Sequence, residues 1–269
     1  MVVKRYGEKH GQGGMFFNAI LCLFATVYFF VTNTDGFQLP AGVFWYGIVN
    51  SVFYATGFYT GFLALSSGSF GLTRLMTSFS AVFPIFYGIL VLRDPVSPLT
   101  VAGMVLVFVS VILMRYQKRR EDEPAGYSVK WVISVAVTVL SNALIAIIGK
   151  MQHDTFGDTY KNEYLIVSFL GAALWLTVLG FLFERRNLRA TLRHGTLYGV
   201  IAGFFNGINN LLSLVVYNYL AISIVSPMKT GLGMLLSFLI ALLVYRERFT
   251  RRQWAGAAVG TVAILLMNL

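Results

Sequence analysis

Residues 90–114 read LVLRDPVSPLTVAGMVLVFVSVILM, and residues 243–267 read LVYRERFTRRQWAGAAVGTVAILLM. A shift of 153 residues lays Arg93 on Arg246, Asp94 on Glu247, Gly103 on Gly256 and Met114 on Met267. In each copy an apolar helix ends, a short charged turn follows, and a second apolar helix begins. The end of the chain therefore repeats its middle, inside segments long enough to cross a bilayer. Duplicated bundles of membrane helices are a common plan for secondary transporters, which hold their substrate between the repeats.

The surrounding composition agrees with a membrane setting. The chain is 57% hydrophobic and 12% charged, with a mean hydropathy of +0.71, whereas a soluble domain carries about 25% charged residues. A hydrocarbon core of about 30 Å requires roughly 20 apolar residues per helix. Nine blocks approach or reach that length: 15–32, 42–66, 69–92, 98–117, 127–150, 163–184, 195–219, 222–245 and 252–268. They consume most of the chain and leave no room for a separate soluble domain. The first block follows Lys4, Arg5 and Lys9, as a signal peptide would, but Thr34-Asp35-Gly36-Phe37 offers no small-x-small cleavage site. It reads as a retained span. The lone Cys22 lies within it, so no intrachain disulfide can form.

The net charge of +10 is distributed by side. Counting alternate sides from the N-terminus, one receives Lys4, Arg5, Lys9, Arg115, Lys118, Arg119, Arg120, Lys130, Arg185, Arg186, Arg189, Arg193, Arg246, Arg248, Arg251 and Arg252. The other receives Arg93, Lys150 and Lys161. Such an excess marks the rich side as cytoplasmic. The basic loops then set topology and meet lipid headgroups, which argues against a nucleic-acid partner.

The polar stretch Gln117–Ser128 is the natural hinge, giving a first repeat over 1–117, a linker over 118–126 and a second repeat over 127–269. Four spans precede the hinge and five follow it. Corresponding helices are thereby placed in opposite orientation, as in an inverted repeat.

Two hydrophobic halves, each ending in helix, acidic turn and Gly-bearing helix, resemble the EamA type of the drug/metabolite transporter superfamily. The stretches that carry the likeness are Tyr54–Met114, with Ala64-Leu65-Ser66-Ser67-Gly68-Ser69 and Pro84, and Tyr217–Met267. The resemblance implies ten helices, five per half, around a central cavity. Here it implies an all-α polytopic membrane protein: a bundle of about nine transmembrane helices built as two inverted repeats, one helix short of a 5+5 arrangement. The first half would lack the counterpart of 127–150; a dimer partner or lipid covers that gap, or the coding start lies upstream. The charge bias also implies an orientation opposite to the one usual for the family.

Two charged residues fall well inside the spans, Arg74 in GLTRLMTS and Lys229 in SPMKTGLG. Each lies near the start of the fourth helix of its half, about 8–10 Å from the boundary at 1.5 Å per residue. A charge there needs a partner, an aqueous cavity, or a stem that snorkels to the interface. Pro84 and Pro227 occupy the same two helices and free the carbonyls of Ser80 and Ser223, either for a cavity or merely through a packing kink. The third helix of each half carries a polar stripe: Tyr46, Asn50 and Tyr54 in the first, Asn206, Asn209, Asn210, Ser213 and Tyr217 in the second. Ser134, Thr138 and Asn142 form a weaker one. Such groups line a cavity or bond neighbouring helices. Gly57-x-x-x-Gly61 fits close helix approach.

Enzyme chemistry finds little to use. His10, His153 and His194 are scattered, and His153, Asp154, Asp158 and Glu163 read as one solvated external loop. No metal-ligand cluster, cofactor motif or phosphate-binding loop is visible. The function expected is secondary transport of a small metabolite by alternating access, as an exporter of amino acids or related compounds. An intramembrane enzyme acting on lipid is the alternative. The expected partners are a small-molecule substrate, membrane lipids and a second copy of the chain, in a bacterial plasma membrane. With no acid or His within the spans, exchange or facilitated diffusion is expected over proton antiport.

The charge asymmetry makes the topology testable. Alkaline phosphatase, whose disulfides form only outside the cytoplasm, is expected to be active when fused after Leu269 and inactive when inserted at 184–194. The opposite pattern reverses the assigned sides.

Overall fold

The computed structural model describes residues 14–34, 36–67, 73, 76–115, 128–243 and 250–266. Arg74, the linker 118–126, the Arg246-Glu247 turn and Leu269 lie outside them. Nine helices occur among the described residues, and no strand. They are α1 (Gly14–Thr32), α2 (Ala41–Ser67), α3 (Met76–Leu92), α4 (Pro98–Arg115), α5 (Val129–Phe156), α6 (Lys161–Phe183), α7 (Leu188–Val216), α8 (Ile222–Leu243) and α9 (Arg251–Leu266). Five of these segments, α1, α2, α5, α6 and the α7 region, are long and apolar enough to cross a membrane.

Helices suit this sequence because hydrocarbon offers no partner to an exposed peptide group, and a helix satisfies its own. The hydroxyl residues inside the helices follow the same rule. Thr26, Thr56, Thr60, Ser168 and Thr196 each donate to the carbonyl four residues back, at 2.6–2.9 Å. The helix ends use local stops. Ser128 caps α5 by accepting from the Trp131 N–H, and Gly157, at φ 67°, terminates it. The helix α5 runs past residue 150 because Lys150 and Asp154 pair one turn apart, which carries it through a polar stretch.

Helices α1, α2, α5, α6 and α7 form one compact unit. Its centre is α1 packed antiparallel on α6: Phe16 meets Phe181 and Phe29 meets Phe169, with ring centroids 5.3 and 5.2 Å apart. On either flank, parallel pairs close through glycine. On α2, Gly47 faces Val167 of α6, and Gly171 of α6 faces Ser51. On α7, Gly199 faces Ile20, Gly203 faces the Leu21 backbone and Gly207 faces Tyr28 of α1. Helix α1 thus meets α6 in reversed direction and runs parallel to α7, as α2 runs parallel to α6. Helix α5 packs antiparallel on α2, where Gly57 lies against Ser141 and Gly61 against Thr138.

Helices α3, α4, α8 and α9 form a second unit. Its core holds Ile85, Met104, Val107, Val111 and Ala263. Ser110 donates across it to the Gly256 carbonyl at 2.6 Å. Helix α3 is irregular: a 3-10 turn over Phe79–Ala81, an α segment over Val82–Tyr87 and a π turn over Gly88–Leu92. It ends at Arg93 in the left-handed conformation, φ 56°. That turn aims Asp94 at the start of α8, where its Oδ2 accepts from Ser223 N at 3.2 Å and Ser223 Oγ at 2.7 Å. The charged turn of the repeat is therefore a helix cap supplied by the other half.

Two outcomes follow for the five-helix unit. A Cβ at Gly203 would fall on the Leu21 carbonyl oxygen, a backbone atom that cannot yield alone. Gly203→Ala is expected to lower stability by about 1–3 kcal/mol, the usual range for overpacking, read as thermal unfolding in detergent. Glu184, between α6 and α7, accepts from Met15 N at 3.0 Å. Burial pushes its carboxyl above the ordinary value, and the Met15 hydrogen bond partly opposes this. With the folded value above the unfolded one, its stabilising contribution is full below the unfolded carboxylate range and is lost as pH rises through the folded value. Stability of the wild type should decline across that window relative to Glu184→Gln, measured as unfolding midpoint against pH.

Candidate functional site

The polar stripes assemble within the five-helix unit. Asn50 is fully buried and donates to the Tyr164 hydroxyl. Tyr54 donates from its hydroxyl to Asn210 Oδ1 at 2.6 Å, and Asn210 Nδ2 donates to the Asn206 carbonyl at 2.9 Å and to its Oδ1 at 2.7 Å. Four of the expected residues therefore form interhelical or same-helix bonds with one another or with α6. The Tyr54 ring also lies against Phe169, centroids 4.4 Å apart, so the chain of amides sits on an aromatic floor. Ser213 returns its hydroxyl to the Asn209 carbonyl at 2.6 Å, and Tyr46 sets its ring edge-on to Phe156. Ser134 and Thr138 are buried, and Thr138 shares a 2.8 Å hydroxyl contact with Thr60. Asn142 and Asn209 keep exposed side chains.

Lys229 is exposed on α8, seven residues past its first residue and two past Pro227. Helix α8 runs through Pro227 without a break, while Pro84 follows directly on the irregular start of α3. The two proline helices thus differ: one is interrupted and the other absorbs its proline. Arg74, the counterpart of Lys229, lies outside the described residues.

The reading of His153, Asp154, Asp158 and Glu163 as a solvated loop is corrected. His153 and Asp154 belong to the last turns of α5, and Glu163 to the first turn of α6. Glu163 is only 2% exposed, and its Oε1 accepts from Asn33 Nδ2 at 3.0 Å and Gln38 N at 3.2 Å. The helix pair α5–α6 is joined by a turn of only a few residues, so His153 and Glu163 fall back onto the bundle, while Asp154 and Asp158 keep partly exposed side chains. Gln152, fully buried, was not singled out by the sequence, and neither of its side-chain polar atoms has a hydrogen-bond partner. Asn50 Oδ1, His153 Nδ1 and Glu163 Oε2 are in the same condition. Such groups gather at one end of the five-helix unit, where α5 ends and α6 begins. Among the described residues no three His, Cys, Asp or Glu side chains group as metal ligands. The arrangement within the five-helix unit offers hydrogen-bond donors and acceptors.

Comparison with known proteins places the fold. A search of curated proteins gives no match. Among solved structures 28 chains match, including a crystal structure of a protein that is 12% identical. That alignment covers 97% of this chain and 90% of the other, with a TM-score of 0.75. At this identity the likeness is one of fold. The model of the EamA-like transporter family matches residues 1–116 and 129–269, nearly the whole length. The chain is a multi-pass integral membrane protein and belongs to the EamA-like transporter family of the drug/metabolite transporter superfamily.

Proposed function

We propose that the protein moves a small metabolite across a bacterial plasma membrane by alternating access, with residues 1–117 and 127–269 acting as the two repeats. The observation that carries this reading is the reversed packing of α1 on α6 with its matching glycine flanks. Two halves with the same internal contacts and opposite direction can exchange conformations, so that a site facing one side comes to face the other. Export of amino acids or related compounds is the activity we favour, and a homodimer the assembly.

For the solute, the exposed cation of α8 supports an anionic group. Lys229 lies two residues after Pro227 and shortly before Gly231 and Gly233 in the same helix. A carboxylate or phosphate beside it gains a charge-assisted contact. Within the five-helix unit, the neutral polar groups we assign to solute contact are Tyr46, Asn142 and Asn209, while Asn50, Tyr54, Asn206 and Asn210 hold the helices that present them. Arg74 is proposed as the equivalent cation of the first half.

Purified protein in liposomes tests this. Preloaded amino acids are expected to drive counterflow of the same labelled amino acid, and Lys229→Ala to slow it at least tenfold while inserting and unfolding as the wild type does. Lipid turnover without solute flux would replace transport by enzyme chemistry. Normal counterflow in the variant would reduce Lys229 to a snorkelling side chain.

A further inference from the structure

The carboxylate of Glu163 sits in a setting that its hydrogen bonds do not complete. It is 2% exposed, and only Oε1 is used, by Asn33 Nδ2 and Gln38 N; Oε2 is buried without a partner. The nearby cations of the α5–α6 turn are committed elsewhere: Lys150 pairs with Asp154 and Lys161 with Asp158. The remaining titratable groups of that turn face other partners, with His153 set against the Tyr217 ring and Tyr164 bonded to Asn50. The groups that reach Glu163 from α1 and the following connector, Asn33 and Gln38, are neutral.

The helix ends sharpen the imbalance. Glu163 lies beside the C-terminal end of α1, the negative end of that helix's dipole. Asn162 fixes that junction, donating from Nδ2 to the Thr32 carbonyl at 3.2 Å, while Thr32 Oγ1 stands 3.5 Å from Asn162 Oδ1. The N-terminus of α6 favours the carboxylate, but a single turn's dipole offsets only part of the cost of burying an ion. Three side-chain oxygens belong to residues of this junction: Glu163 Oε2, buried without a partner, and the amide carbonyls of Asn33, whose nitrogen bonds Glu163, and of Asn162, whose nitrogen bonds Thr32.

The geometry points to a monovalent alkali-cation site at the α1–α6 junction, with Glu163 Oε2 as its charged ligand and the Asn33 and Asn162 carbonyls as neutral ones. Hard cations take such all-oxygen shells. One carboxylate among neutral oxygens balances a single positive charge. The bound ion would tie the 33–40 connector to α6. This site does not depend on the transport reading, because its test reads stability without any solute.

Unfolding of the purified full chain is measured in NaCl, KCl and choline chloride at equal ionic strength and fixed pH. A ligand that binds only the folded state raises its apparent stability. At 100 mM, Na+ or K+ is expected to raise the midpoint by about 3 °C or more over choline. Glu163→Gln should abolish that difference, and Asn33→Ala, which leaves the carboxylate in place, should at least halve it. Should Glu163→Gln not yield folded protein, Asn33→Ala carries the localisation. Equal midpoints in all three salts for the wild type overturn the site, as does an alkali-ion response that survives in the folded variants.

Discussion

Everything in the five-helix unit depends on how closely α1 and α6 approach their parallel neighbours. Lipid tails are as apolar as leucine, so burying hydrocarbon gives little net drive for one membrane helix to seek another. Dispersion and short polar contacts must supply it, and both fall away steeply with distance. The run Gly195, Gly199, Gly203 and Gly207, every fourth residue and all buried, removes side chains from one face of α7. Helix α1 then rests on backbone, and its aromatic face turns to α6. The reversed core and the polar stripes inherit their positions from that approach.

The polar residues illustrate how a membrane bundle allots its hydrogen bonds. Each amide brings donors and acceptors that cost free energy if left bare. Asn50, Tyr54, Asn206 and Asn210 meet much of that demand among themselves and with Tyr164, leaving Asn50 Oδ1 buried without a partner. These bonds tie α2 to α6 and α7. Asn142 and Asn209 keep exposed side chains beside them.

Much of this architecture is legible in the sequence, because hydrophobic length and charge asymmetry are one-dimensional signals. The blocks 15–32, 98–117 and 222–245 correspond to α1, α4 and α8 within a few residues. What escapes is whatever depends on two segments meeting. The glycine period of α7 is plain in the sequence, yet nothing local tells that α1 lies along it. Asp94 reads as part of a surface turn, and only the fold brings Ser223 to it. Glu163 reads as a loop acid because residues 153–163 are polar; the tightness of the α5–α6 turn, which buries it, is a tertiary outcome. The stripe of Asn and Tyr was visible as a stripe, but periodicity alone does not say whether a face meets solute or another helix.

The interleaving of the halves has a consequence for the chain as it is made. Helices α3 and α4 leave the ribosome together, but the partners that complete their unit, α8 and α9, come from the far end of the sequence. Asp94 and Ser223 are separated by 129 residues. At translation rates of roughly 5–20 residues per second, the cap waits on the order of ten seconds for its helix. During that interval Ser110 within α4 and Asp94 in the turn before it have their final partners still unsynthesised. Each also belongs to a segment whose apolar face is open to passing chains. The unit of α3, α4, α8 and α9 is therefore completed only when the last helices of the chain have been made.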